Sequence, residues 1–67
     1  MKLFVNNESI ELTESAKISE LLGQLSYADK KGIAVAINEA VVPKIKWTEY
    51  TLNENDKVLI IQATQGG

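Results

Sequence analysis

The stretch Lys57–Ala63, KVLIIQA, constrains the fold more than any other part of the chain. Val58, Leu59, Ile60 and Ile61 form a run of large aliphatic residues. A strand alternates its side chains between two faces, so this run presents apolar groups to both. Such a strand belongs inside a sheet rather than at its rim. Its natural place is beside the first strand. The last residues, Thr64-Gln65-Gly66-Gly67, then leave the sheet at one end and project into solvent.

The rest of the chain supplies the neighbours. Lys2–Asn6 alternates, with Leu3 and Val5 on one side and Phe4 on the other. Asn6-Asn7-Glu8-Ser9 is rich in turn formers, and Ser9–Leu12 alternates again with Ile10 and Leu12 together. This predicts a β-hairpin with a loop longer than the tightest two-residue type. In ISELLGQL, Ile18, Leu21, Leu22 and Leu25 fall at i, i+3, i+4 and i+7, which predicts an amphipathic helix. Ser15 or Ser19 is the expected cap, without a capping box. Gly23 inside the helix marks either close packing or simple tolerance, at about 0.5–1 kcal/mol. Ile33–Ile37, IAVAI, reads as a second doubly covered strand, with Gly32 a turn residue before it. Asn38-Glu39 is a turn, and Ala40–Val42 a short return strand ended by Pro43. KIKWTEYTL has no clean period and reads as an irregular crossover anchored by Trp47, Tyr50 and Leu52.

The order β, β, α, β, β, crossover, β gives an α+β domain: a mixed five-stranded sheet with one helix packed on one face. Residues 1–63 form the domain and residues 64–67 a flexible C-terminal tail. The expected core is Leu3, Val5, Ile10, Leu12, Val35, Ile37, Val58 and Ile60 against Ile18, Leu21, Leu22 and Leu25. The opposite period sends Phe4, Ala34, Ala36, Leu59 and Ile61 to a face without internal cover. Scattered exposed apolar residues are ordinary. A patch on the strand that delivers the tail instead suggests a partner surface.

Composition narrows the chemistry. The 67 residues contain no His, no Cys and no Arg, and all seven basic residues are Lys. The commonest neutral-pH base, the thiol nucleophile and the bidentate guanidinium are therefore missing, as are Cys-based metal sites. Glu8, Glu11, Glu14, Glu20, Glu39, Glu49 and Glu54 sit in polar surroundings and read as solvated surface. The net charge of −2 makes non-specific attraction to nucleic acid weak. No apolar run is long enough to span a membrane, and the first residues are too short an apolar run for a signal peptide. A cytoplasmic protein that is a monomer when free, and not an enzyme by itself, is the expectation.

Several stretches together carry a resemblance: ISELL at the helix, Ala34–Asn38 (AVAIN), Val42–Trp47 (VPKIKW), Asn55–Ile60 (NDKVLI) and Gly66-Gly67. Over essentially its whole length the chain resembles the MoaD/ThiS family of ubiquitin-like β-grasp sulfur carriers, its thiamin branch in particular. Lys44 stands where the family often has Arg, keeping the charge without the planar fork. Asn55 stands where the family often has Gly, and Asn tolerates the left-handed conformation.

The resemblance implies that a ThiF-like adenylyltransferase, using ATP and Mg²⁺ bound to itself, adenylylates the Gly67 carboxylate. A sulfur donor protein then yields a thiocarboxylate, and a ThiG-like thiazole synthase accepts the sulfur. Gly66, with Gln65 and Thr64 as spacers, gives the acyl carbon access to a narrow channel. Phe4, Ala36, Leu59 and Ile61 form the docking face. No side chain of the chain is catalytic, and it binds no cofactor or metal. A MoaD-like carrier for molybdopterin synthesis shares fold and tail chemistry. A β-grasp interaction module with an inert tail is the alternative of another class.

Overall fold

A computed structural model describes residues 1–27 and 30–63. Strands β1 (Lys2–Val5) and β2 (Glu8–Glu11) are followed by helix α1 (Ile18–Gln24). Strands β3 (Ile33–Ile37) and β4 (Ala40–Val42), a 3₁₀ turn at Lys44–Lys46 and strand β5 (Lys57–Gln62) complete the order. The described residues form one five-stranded sheet in the order β2-β1-β5-β3-β4. β5 runs parallel to β1 and antiparallel to β3, in the central place its double-faced apolar run demands.

Both hairpins turn on asparagine. Val5 pairs with Glu8, so the first loop is Asn6-Asn7 alone, with φ of 50° and 70°. The expected longer loop is thus corrected: Asn tolerates positive φ at both positions, and two such residues match the twist of the flanking strands. β2 accordingly begins at Glu8. Asn38-Glu39, at φ 50° and 73°, closes β3 onto β4 in the same way. Asn55 adopts φ 67° in the last turn, and the Asp56 carboxylate ties the two neighbouring turns together. It accepts hydrogen bonds from the Asn38 side chain (3.0 Å) and the Asn53 amide (2.8 Å), while Asn38 Oδ1 accepts from the Lys57 amide (3.0 Å). Asp56 is a buried charged residue, and burial of a charge is tolerated when such partners are present.

The helix start differs from expectation. The N-cap is Lys17, not Ser15 or Ser19. The crossover supplies the partners that a serine hydroxyl would have given: the Ile18 and Ser19 amides donate to the carbonyls of Tyr50 and Trp47, at 3.1 Å each. Glu20 Oε1 accepts from the Lys17 amide at 2.7 Å, and Lys17 Nζ donates to Thr51 Oγ1 at 2.6 Å. The crossover is in turn held by Trp47, whose indole N–H donates to the Val42 carbonyl at 2.9 Å, and by Leu52 at 1% exposure.

At its other end α1 closes with Ser26 at φ 67°. The Tyr27 amide reaches the Leu22 carbonyl (2.8 Å) and the Ser26 amide that of Gly23 (3.2 Å), a Schellman arrangement built without glycine. Leu25, expected in the core, is half-buried at this cap, and Ile10 is half-buried because β2 is an edge strand. Leu3, Ile18, Leu21, Leu52 and Val35 are the largest fully enclosed side chains, each contributing about 1.5–3 kcal/mol of burial. Ala16 and Val42 join them. A Cβ at Gly23 would meet nothing within 4 Å, so this glycine is tolerated rather than required by packing.

Two substitutions probe the helix ends. Gly23→Ala should raise stability by about 0.5–1 kcal/mol. Ser26→Gly should raise it by about 1 kcal/mol, by relieving a left-handed non-glycine residue. Urea midpoints check both, and a loss of stability in either contradicts the helix described here.

Candidate functional site

The central position of β5 sorts its side chains. Val58 and Ile60 are 2% and 6% exposed against the helix, whereas Leu59 and Ile61, on the other face, are 47% and 52% exposed. The pairing partners extend this second face. Ala36 lies opposite Leu59 and Ala34 opposite Ile61 on β3, and Val41 on β4 lies opposite Ala36. Phe4 lies opposite Lys57 at one end, with Lys2 Nζ 5.2 Å from its ring centroid. The residues expected as a docking face therefore do come together on one side of the sheet.

Two corrections refine that face. Ala36 is on it but is itself buried, because Leu59 and Val41 stand on either side of its single methyl. It forms the floor of a depression of about 450 Å³ bounded by Phe4, Asn6, Glu39 and Leu59, and offers little contact surface of its own. Val41, 74% exposed, was not among the expected face residues. Its signal was available: Val42 packs in the core, and a strand period of two then sends Val41 outward. Ile45, 79% exposed in the 3₁₀ turn, had no such periodic signal.

Asn6 has a second duty at this site. β1 ends at Val5, so the Ile60 amide faces no further strand residue there. Asn6 Oδ1 accepts from that amide at 2.8 Å, while the Asn6 amide donates to the Val58 carbonyl at 2.9 Å. One side chain thus extends the ladder that positions Leu59 to Ile61. Beyond it, the Ala63 amide donates to the Gly32 carbonyl at 2.9 Å. Gly32 has φ 71°, and a Cβ there would sit 3.4 Å from that of Ala63, which suits glycine to this turn.

The expected carrier group Gly67 and its access residues Gly66, Gln65 and Thr64 lie outside the described residues. All seven glutamates expected at the surface are exposed. Glu20 and Glu54 each accept a hydrogen bond from a backbone amide, those of Lys17 and Lys2. Among the described residues no helix is long and apolar enough to cross a membrane.

A family model described as the ThiS family matches residues 2–67. The chain is 30% identical to the sulfur carrier protein ThiS of Escherichia coli over 67 residues, covering all of both. It is 34% identical over 67 residues to a thiazole synthase of Paramagnetospirillum magneticum, of which it spans only 20%. A crystal structure of the thiamine biosynthesis protein ThiS from Geobacter metallireducens matches with a TM-score of 0.86 at 28% identity, the whole of each chain being covered. A solution structure of a thiamine biosynthesis protein from the same organism matches at 0.81 and 28%, covering this chain fully and 88% of the other.

The two faces of β5 should separate in stability measurements. Ile60→Ala should cost about 2–5 kcal/mol, as for buried aliphatics, and Ile61→Ala under about 1 kcal/mol. Chemical denaturation of the pair checks the assignment, and similar losses at both positions contradict it.

Proposed function

The chain belongs to the ThiS family, and from that premise we propose that it is a sulfur carrier of thiamin thiazole synthesis whose carrying group is the Gly67 carboxylate. The observation that carries this reading is the alignment of the whole chain with the whole of a sulfur carrier protein. The match to a fifth of a thiazole synthase supports the acceptor. There, a segment similar to this chain shares one polypeptide with a protein named for that synthase activity. These matches favour the thiamin acceptor over a molybdopterin one.

In this reading a ThiF-like enzyme binds ATP and Mg²⁺, and the Gly67 carboxylate attacks the α-phosphorus with loss of pyrophosphate. The resulting acyl-adenylate has AMP as leaving group, which the carboxylate oxygen alone could not be. The terminal sulfur of a persulfide on a sulfur donor protein displaces AMP to give an acyl disulfide. A second thiol cleaves its S–S bond to leave the thiocarboxylate and a disulfide, and thiazole synthase takes the sulfur. Gly66 and Gly67 lack Cβ atoms, so they suit a narrow channel and leave the carbonyl carbon open to attack. The side chains of this chain have no chemical step to perform, consistent with the absence of His, Cys and Arg.

The face bearing Phe4, Leu59 and Ile61, with Ala36 as its floor and Val41 beside it, is the proposed docking surface. It is continuous along β5 with the residues that lead to Gly67, so one approach can engage both.

Intact-mass measurement after incubation with ATP, a ThiF-like enzyme and a sulfur donor should show one oxygen replaced by sulfur at the C-terminus. An unchanged mass contradicts the carrier reading and favours an interaction module. Deleting Gly67 shortens the reach by about 3.5 Å and should lower modification by at least about 100-fold without loss of fold. Leu59→Asp should raise KM for the carrier about tenfold or more while kcat holds. An unchanged KM removes Leu59 from the docking surface.

A further inference from the structure

Two concavities of this acidic chain differ in the charge of their described lining residues. A depression of about 300 Å³ is lined by Glu11, Glu14 and Glu20 and by no lysine among the described residues. A second concavity, of about 400 Å³, is lined by Lys30, Lys31 and Lys44 and by no acidic residue among the described ones. Three of the seven lysines thus gather in one place, where mutual repulsion is unfavourable. Among the described residues none of the three has a carboxylate within ion-pair distance, whereas Lys46 is 4.0 Å from Glu49. An incoming anion would relieve that repulsion.

Tyr27 and Trp47 also line the concavity. The Trp47 indole N–H is already given to the Val42 carbonyl, so it offers no donor to a visitor. The charge of the lining comes from lysine ammonium groups, which act as mobile point charges rather than a fixed fork. Such a site guides approach and orientation more than it fixes geometry.

Its position ties it to the tail. Gly32 lines the concavity, and its carbonyl holds the Ala63 amide at 2.9 Å. Gly67 lies four residues beyond Ala63, and a fully extended chain of that length spans at most about 14 Å. A protein that acts on the Gly67 carboxylate therefore works within about 14 Å of Ala63, which is bonded to a residue of the concavity's lining.

We propose that the Lys30–Lys31–Lys44 cleft is a second docking contact that receives an acidic surface, Asp and Glu side chains, of the enzyme that activates Gly67, and so orients the carrier tail-first. The proposal rests on the carrier reading above. The net charge of −2 and the separate acidic depression oppose a long polyanion such as nucleic acid.

The test compares two double variants of the full chain with equal charge change, K31Q/K44Q and K17Q/K46Q, after circular dichroism shows both folded. ATP–pyrophosphate exchange by a ThiF-like enzyme is followed with carrier concentration varied, at about 0.05 and 0.5 M salt. The cleft variant should lose about tenfold in kcat/KM for the carrier at low salt with kcat held, and the other variant under about threefold. The gap should narrow at high salt. Equal losses in both variants, a loss independent of salt, or a change in KM for ATP instead of the carrier overturns the cleft as a protein contact. Absence of exchange with the unaltered chain contradicts the carrier reading itself.

Discussion

The parallel pairing of β5 with β1 is the contact on which the rest of the structure depends. Parallel neighbours cannot be joined by a tight turn, so the chain between them must travel out and return. Here that excursion contains α1, the β3–β4 hairpin and the crossover. With β5 in the centre, Val58 and Ile60 close the core under the helix, and Leu59 and Ile61 are committed to the other face. The same placement fixes where the chain leaves the sheet, at Ala63 beside Gly32.

The crossover does more than connect. Its carbonyls at Trp47 and Tyr50 receive the first helical amides, and the Leu52 amide donates to the Ala16 carbonyl at 2.9 Å. A helix of seven residues is too short to be stable alone. It is held by these bonds and by the burial of Ile18, Leu21 and Leu22. All of that stabilisation lies on one side of the sheet, and the proposed docking surface lies on the other. A carrier whose chemistry is performed by other proteins needs such a division: a rigid body, a recognisable face and an end that reaches elsewhere.

Much of this was legible in the sequence, for physical reasons. Doubly apolar IAVAI and KVLII could only be inner strands, and the i, i+3, i+4, i+7 spacing of Ile18 to Leu25 could only be a helix against them. Where the pattern misled, either non-local contacts had replaced local signals or the local signal was weak. Lys17 starts the helix because the crossover carbonyls do a cap's work, which no local pattern announces. Asn6-Asn7 makes a two-residue turn that glycine would have signalled more plainly. Ala36 was placed on the correct face, but its burial depends on Val41, a neighbour in another strand. The lysine cleft joins residues 30–31 to residue 44 and exists only once the strands are paired. Thr64 to Gly67 carry the proposed chemistry and lie outside the described residues, so their role rests on the family and on the point from which they depart.

The most direct measurement tracks the sulfur itself. The chain is prepared with radiolabelled sulfur in its C-terminal thiocarboxylate and offered separately to a thiazole synthase and a molybdopterin synthase, each with its small-molecule substrates. Label passing into the thiazole product, and not into the molybdopterin one, is the predicted result. Label that stays on the chain with thiazole synthase, or passes only to the molybdopterin product, contradicts it.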